Sequence, residues 1–205
     1  VVLALTTNAP EIASHVLQTL RRASIGFTLA VVTMAPLGIV IGRSRMLASI
    51  FEPVIDLVRP LPPIAIIPVV MLFAGIGDGA KISVITYAAA FPILIHAIDG
   101  VRGIHPMYAT VARALRLTLF EQRFEIDLRA VLPVLFTGLR LAIASALLVA
   151  VTAEMLMSTD GIGLYILHAQ ERFQIANGLA GILVVAVLGW VVNRFLLLAD
   201  RRLLA

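Results

Sequence analysis

Residues 112–133 read ARALRLTLFEQRFEIDLRAVLP, a charged island in a chain otherwise almost too apolar to dissolve. Arg113, Arg116, Arg123 and Arg129 share the stretch with Glu121, Glu125 and Asp127, and it ends in Leu132–Pro133. Of 205 residues, 60% are hydrophobic and 14% charged, and the mean hydropathy is +1.03. A globular chain carries about 45–50% apolar and 25% charged residues. The departure points to a bilayer, and in a bilayer protein such an island needs a reason.

The segments around it read as membrane spans. A spanning helix needs about 20 mostly apolar residues. Five stretches reach or approach that length: Leu20–Ile41, Leu61–Ile76, Ile82–Ile98, Val134–Met157 and Ala176–Leu198. The second (LPPIAIIPVVMLFAGI) is short and rich in proline, and Pro36 and Pro92 interrupt the first and third. Proline removes a backbone hydrogen bond, which a span tolerates only where neighbouring protein satisfies the freed group. The expectation is therefore one packed, all-α polytopic domain over residues 1–205. The N-terminal VVLALTT lacks a starting Met and a basic lead, so it does not read as a signal peptide.

Spans alternate sides, and this sorts the charges. The intervals Gly42–Pro60 and Asp99–Pro133, the C-terminal end and the adjoining span ends hold twelve Arg, including Arg59, whereas Arg21, Arg22, Lys81 and Arg172 lie on the other side. Cytoplasmic loops carry the excess of Lys and Arg. The island thus falls in the longest cytoplasmic loop, about 99–133, and the C-terminus is expected in the cytoplasm. Arg21 and Arg22 fit least well, and an amphipathic lead-in helix from Pro10 would accommodate them.

Within the loop, Met107, Val111, Ala114 and Leu115 recur at helical intervals after Pro106, and proline suits a first helical turn. A second helical piece carries Glu125 and Arg129 at a favourable i,i+4 spacing. The pattern fits a helix resting on lipid headgroups, or an amphipathic helix docking into a partner's groove. Charge does not decide, with five Arg against four acids from Asp99 to Pro133.

The segment YATVARALRLTLFEQRFEIDLRAVLPVLFTGLR resembles the cytoplasmic loop of bacterial ABC-importer permeases, with matches at Ala112, Arg113, Leu115, Leu132–Pro133 and Gly138–Leu139–Arg140. IDLVRPLPPIAIIPVVMLFAGIGDGAKISVITYAAAFPILIHAIDGV and GIGLYILHAQERF are similar to the nitrate/sulfonate/taurine branch. Two positions depart from the pattern: Thr110–Val111 replaces an acid followed by Ala, and Arg116 replaces Gly. The resemblance implies a type I importer bundle in a bacterial inner membrane, with five spans here and a sixth in the intact protein. It implies two ABC ATPase subunits docked at a coupling helix over Thr110, Val111, Ala112, Arg113, Ala114, Leu115, Arg116 and Leu117. A second permease, expected as an identical copy, and an external solute-binding protein complete the assembly, with lipid around it and no nucleic acid. The cargo implied is a small anion such as a sulfonate, taurine or nitrate, moved by alternating access, although relatives also carry neutral or cationic heterocycles such as vitamin precursors.

The chain is not expected to be an enzyme. Lys81 is the sole lysine and is followed by Ile82, so no phosphate-cradling Gly-rich loop ending in Lys-Ser/Thr exists. No cofactor is expected in this chain; ATP and Mg belong to the partner ATPase. His15, His96, His105 and His168 are scattered without metal-ligand spacing, and with no cysteine there is no thiolate site. A secondary transporter or channel without an ATPase is the alternative, but it would need ionisable residues in the middle of spans, and the five spans carry almost none. A scaffold that only recruits a cytoplasmic protein would not explain the broken spans.

Pathway candidates are fewer. Glu154 lies toward the outer end of the fourth span, where a carboxylate is costly unless paired or facing a cavity; a structural or gating role fits better than direct contact with an anion. Thr86 and Thr152 either line a pore or bond their own helix. Pro62, Pro63 and Pro68 should break the second span, either to kink it for packing or to line a binding cavity. No positive group inside the spans is evident for holding an anion.

Overall fold

The computed structural model describes residues 2–114, 118, 122, 127–157 and 159–204. The helices in order are α1 (Val2–Thr7), α2 (Ala9–Arg43), α3 (Arg45–Val58), α4 (Ile67–Ala74, preceded by a 3₁₀ turn at Pro63–Ile66), α5 (Asp78–Arg102), α6 (Met107–Ala114), α7 (Leu128–Met157), α8 (Ile162–Glu171) and α9 (Ile175–Leu204). Four of these are long and apolar enough to cross a bilayer, and a fifth span results if the bent pair of α3 with residues 63–74 is taken together.

The centre is α5, sandwiched between α2 and α7. Lipid tails are as apolar as leucine, so helices in a membrane associate through close packing and not through apolar burial, and small residues let backbones approach. The sequence supplies such seams on both sides. On α2, Gly38 and Gly42 form a GxxxG pair; a Cβ on Gly38 would lie 2.7 Å from Leu94 O, and one on Gly42 would lie 3.0 Å from Ile98 O. On α7, Ala142, Ala146, Ala150 and Ala153 are fully buried at helical spacing, and a Cβ on Gly138 would lie 2.8 Å from Pro92 O. By contrast α9 leaves Leu179, Ile182, Leu183, Val187 and Trp190 uncovered, a surface suited to a lipid environment.

α2, α5 and α9 run past the expected spans at both ends, taking in charged residues beyond the apolar window, whereas α7 starts earlier than expected but ends at Met157 as expected. The larger correction concerns Gly42–Pro60, read as a loop. Most of it is α3, capped by the Ser44 hydroxyl accepting from Leu47 N–H at 3.3 Å. Ala48 and Ile55 pack with Ile41, Leu94 and Ile98, so α3 rises along α2 and α5. Charges in and beside it (Arg45, Glu52, Asp56, Arg59) lower the average hydropathy and conceal an amphipathic helix.

Between α3 and the 63–74 segment the chain turns by 84°. The prolines explain it. Pro60, Pro62 and Pro63 offer no N–H for helical bonding, whereas Pro68 falls in the first turn of α4, where none is needed.

Candidate functional site

Two constructions stand out, one at the Asp78 end of the bundle and one at the chain break. At the Asp78 end, Arg22 of α2 is 2% exposed and Glu154 of α7 is 0% exposed. Arg22 Nη1 donates to Glu154 Oε1 at 2.9 Å, and Arg22 Nε donates to Asp78 Oδ1 at 2.8 Å. Its remaining terminal nitrogen, Nη2, bonds Asp160. Thr19 Oγ1 lies 2.8 Å from Glu154 Oε2 and accepts from Ile162 N–H at 3.1 Å. Gly163 N–H also donates to Glu154 Oε2, at 3.1 Å. Lys81 Nζ approaches Asp78 Oδ1 at 3.3 Å, and Arg21 reaches the other oxygen of the same carboxylate at 3.5 Å.

Three cations (Arg21, Arg22, Lys81) thus meet three acids (Asp78, Glu154, Asp160), and the formal charges cancel. A buried charge is tolerable only when paired and hydrogen-bonded, and Glu154 meets both conditions. Local backbone makes room for it: Gly161 has φ +107° and a Cβ there would sit 2.2 Å from Glu154 Cδ, while one on Gly163 would meet Val151 O at 2.1 Å. The cluster joins α2, α5, α7 and the start of α8. Beside it, His15 Nδ1 accepts from Gly161 N–H at 2.9 Å, which leaves Nε2 to carry the proton of the neutral ring, 3.9 Å from Glu11.

At the break, Tyr87 of α5 holds the turn. Its hydroxyl lies 3.0 Å from Val58 O, which also accepts from Leu61 N–H at 3.1 Å, and 3.3 Å from Leu61 O. A cavity of about 330 Å³ opens there, lined among others by Arg59, Pro63, Tyr87, Phe91, His96 and Ser145. Tyr87→Phe is expected to lower the unfolding free energy by about 1 kcal/mol, the usual worth of one such bond. A detergent-solubilised thermal melt reads this; an unchanged midpoint would show that the hydroxyl does not hold the turn.

The residues singled out from sequence fall as follows. Thr110 to Ala114 lie in α6, and Leu115, Arg116 and Leu117 fall outside the described residues. Pro133 and Leu132 sit inside α7, one turn after its start, not at its head. Gly138 makes the α5–α7 seam, and Arg140 pairs with Asp200 of α9. Pro62 and Pro63 stand at the break. The hydroxyls of Thr86 and Thr152 donate to Ile82 O at 2.7 Å and Leu148 O at 2.8 Å, bonding their own helices.

Arg22 and Arg59 were missed in different ways. Arg22 is a buried anchor, not part of a surface lead-in; the available signal was that its charge shares an end with Asp78, Glu154 and Asp160 when spans alternate. Arg59 falls in the Gly42–Pro60 interval that reads as a loop, yet it stands at the break beside Tyr87, well inside the length of α5.

Span-length helices, a broken segment between α3 and α4 and buried paired charges define a polytopic membrane protein. Residues 34–205 match the binding-protein-dependent transport system inner membrane component family; the chain belongs to that family and is a permease subunit of an ABC importer. Among its relatives, a Bacillus subtilis protein named as an aliphatic sulfonates transport permease, SsuC, is 32% identical over 95% of this chain and 70% of its own length. The bicarbonate transport system permease CmpB of Synechococcus elongatus is 32% identical over 90% of this chain and 67% of its own. The nitrate import permease NrtB of Synechocystis is also 32% identical, over 89% and 66%. The chain therefore spans about two thirds of these relatives. Among solved structures, a chain of the inward-facing MetNI methionine ABC transporter superposes with a TM-score of 0.80 at 17% identity, covering 94% of this chain and 96% of that one. An amino acid ABC transporter chain superposes at 0.73 and 15% identity, covering 98% and 97%. These two establish the fold.

Proposed function

We propose that the chain forms half of an import pathway for a small oxyanion, switched between inward- and outward-facing states by a separate ATPase pair. The observation that carries the cargo class is identity of 32% across about nine-tenths of the chain with permeases named for sulfonate, bicarbonate and nitrate. All three cargoes are compact anions with oxygen acceptors.

In this reading, residues 99–133 face the cytoplasm and residues 110–117 contact the ATPase, in which ATP and Mg²⁺ are bound and hydrolysed. Orientation rests on arginine distribution. With Arg59 removed from the loop tally, eleven Arg remain on the Arg102 side against four Lys and Arg on the Asp78 side, so the asymmetry persists. The C-terminus is then cytoplasmic, and the Asp78 end, with its buried ion cluster, faces the external solute-binding protein. A second permease, taken as an identical copy, supplies the other half of the path.

The test is co-purification from detergent. The wild-type chain should bring down an ABC ATPase, and Arg113→Glu with Leu115→Asp should lose it while keeping the permease monodisperse. Equal recovery of ATPase with both chains would place the contact elsewhere. No ATPase with either, from folded permease, would remove the ATP-driven mechanism.

A further inference from the structure

We propose that Arg59 is the anion-holding group of the transmembrane path, an assignment that rests on the oxyanion reading above and gives it a residue. Depth comes first. Tyr87 lies nine residues after Asp78 and fifteen before Arg102 on α5 (87 − 78 and 102 − 87). At about 1.5 Å per residue, this places it about 14 Å from one end and about 22 Å from the other. Its hydroxyl binds Val58 O and Leu61 O, so the residues between them share that depth. α3 arrives there after fourteen residues of helix, or about 21 Å of rise. In a hydrocarbon core about 30 Å thick, Arg59 is well inside.

An arginine at that depth is costly against lipid, and it faces a water-filled path or a partner. Arg59 is exposed on this chain, and among the described residues no ion pair or side-chain hydrogen bond engages it. Asp56, one turn earlier on α3, is likewise exposed and makes no ion pair with it.

The cavity beside Arg59 narrows the chemistry. Tyr87 spends its proton on backbone carbonyls. Ser145 Oγ donates to Leu141 O at 3.0 Å, and His96 Nδ1 sits 2.8 Å from Pro92 O, so its proton is directed into its own helix. The remaining named walls, Leu61, Pro63, Phe91, Ile95 and Leu141, are apolar. Arg59 is thus the cavity's free donor, a planar fork suited to an oxyanion and always charged. One such group in an otherwise apolar wall gives selectivity for negative charge without tight retention, as a conduit requires.

The chain contains no cysteine, which permits a test independent of cargo identity. Ser145→Cys is placed in the permease–ATPase complex in lipid vesicles, with Arg59 intact or as Arg59→Gln or Arg59→Lys. Modification rates are compared for a sulfonate-bearing and an ammonium-bearing methanethiosulfonate of similar size. The sulfonate-to-ammonium rate ratio should fall about tenfold in Arg59→Gln, the scale of one unit charge nearby, and hold in Arg59→Lys. A ratio unchanged by Arg59→Gln would overturn the assignment. So would a thiol that neither reagent reaches in an intact complex, or loss of the complex in both Arg59 variants, which would make Arg59 an assembly contact. Uptake of nitrate and ethanesulfonate by the same vesicles separates the two proposals: the charge-dependent ratio without uptake of either anion sustains Arg59's anion attraction and counts against oxyanion transport.

Discussion

Glu154→Gln is expected to destabilise the folded permease by about 3–5 kcal/mol, the usual consequence of removing one partner from a buried ion pair. The amide keeps the volume and one acceptor for Gly163 N–H, but Arg22 then loses the charge facing its Nη1 within a site that is 2% exposed. For a chain of this size the melting midpoint should drop by roughly 10 °C. Thermal stability followed by size-exclusion chromatography measures it. Glu154→Asp is the control, retaining the charge with a shorter reach, and should lose less. A midpoint for Glu154→Gln within a degree or two of wild type would mean that Asp78 and Asp160 alone satisfy Arg22.

The second large effect lies in the α2–α5 seam. Gly38→Leu would put Cβ 2.6 Å from Ala97 Cβ and 2.7 Å from the backbone oxygen of Leu94, with a bulky side chain beyond. A backbone atom in a helix cannot rotate aside, so α2 must move away from α5, and the adjoining contacts of Gly42 go with it. Overpacking by one or two methylenes alone costs about 1–3 kcal/mol; a leucine here should abolish recovery of monodisperse protein. Gly189→Ala is the counterpart, because nothing lies within 4 Å of its added Cβ, and it should behave as wild type or better. If Gly38→Leu purified normally, the α2–α5 seam would not be the packing contact described.

Much of this architecture is legible in the sequence because one period dominates it. Long apolar runs between charged intervals reveal α2, α5, α7 and α9, and the Pro60–Pro63 run signals a break. The start of the second span is harder to see. From Arg45 to Val58 its apolar positions recur at helical spacing, but four charges in and beside it (Arg45, Glu52, Asp56, Arg59) cancel them in a window average. The ion cluster is less visible still. Arg22 and Glu154 are separated by 132 positions, and nothing local distinguishes a paired arginine from one lying at a membrane surface. Thr86 and Thr152 show the limit from the other side: their residue type permits a pore lining, and only the hydrogen-bond geometry reveals that each bonds its own helix.

The position of the ion cluster also makes the molecule mechanically unequal. It rivets α2, α5 and α7 together at the Asp78 end, and the glycine and alanine seams continue that attachment along their length. α3 buries only Ala48 among its side chains, pairs Glu52 with Arg102 of α5 and joins the next segment through a proline turn bonded by Tyr87. The bundle is thus held unequally, with α2, α5 and α7 locked into one frame and α3 fastened to that frame by few contacts.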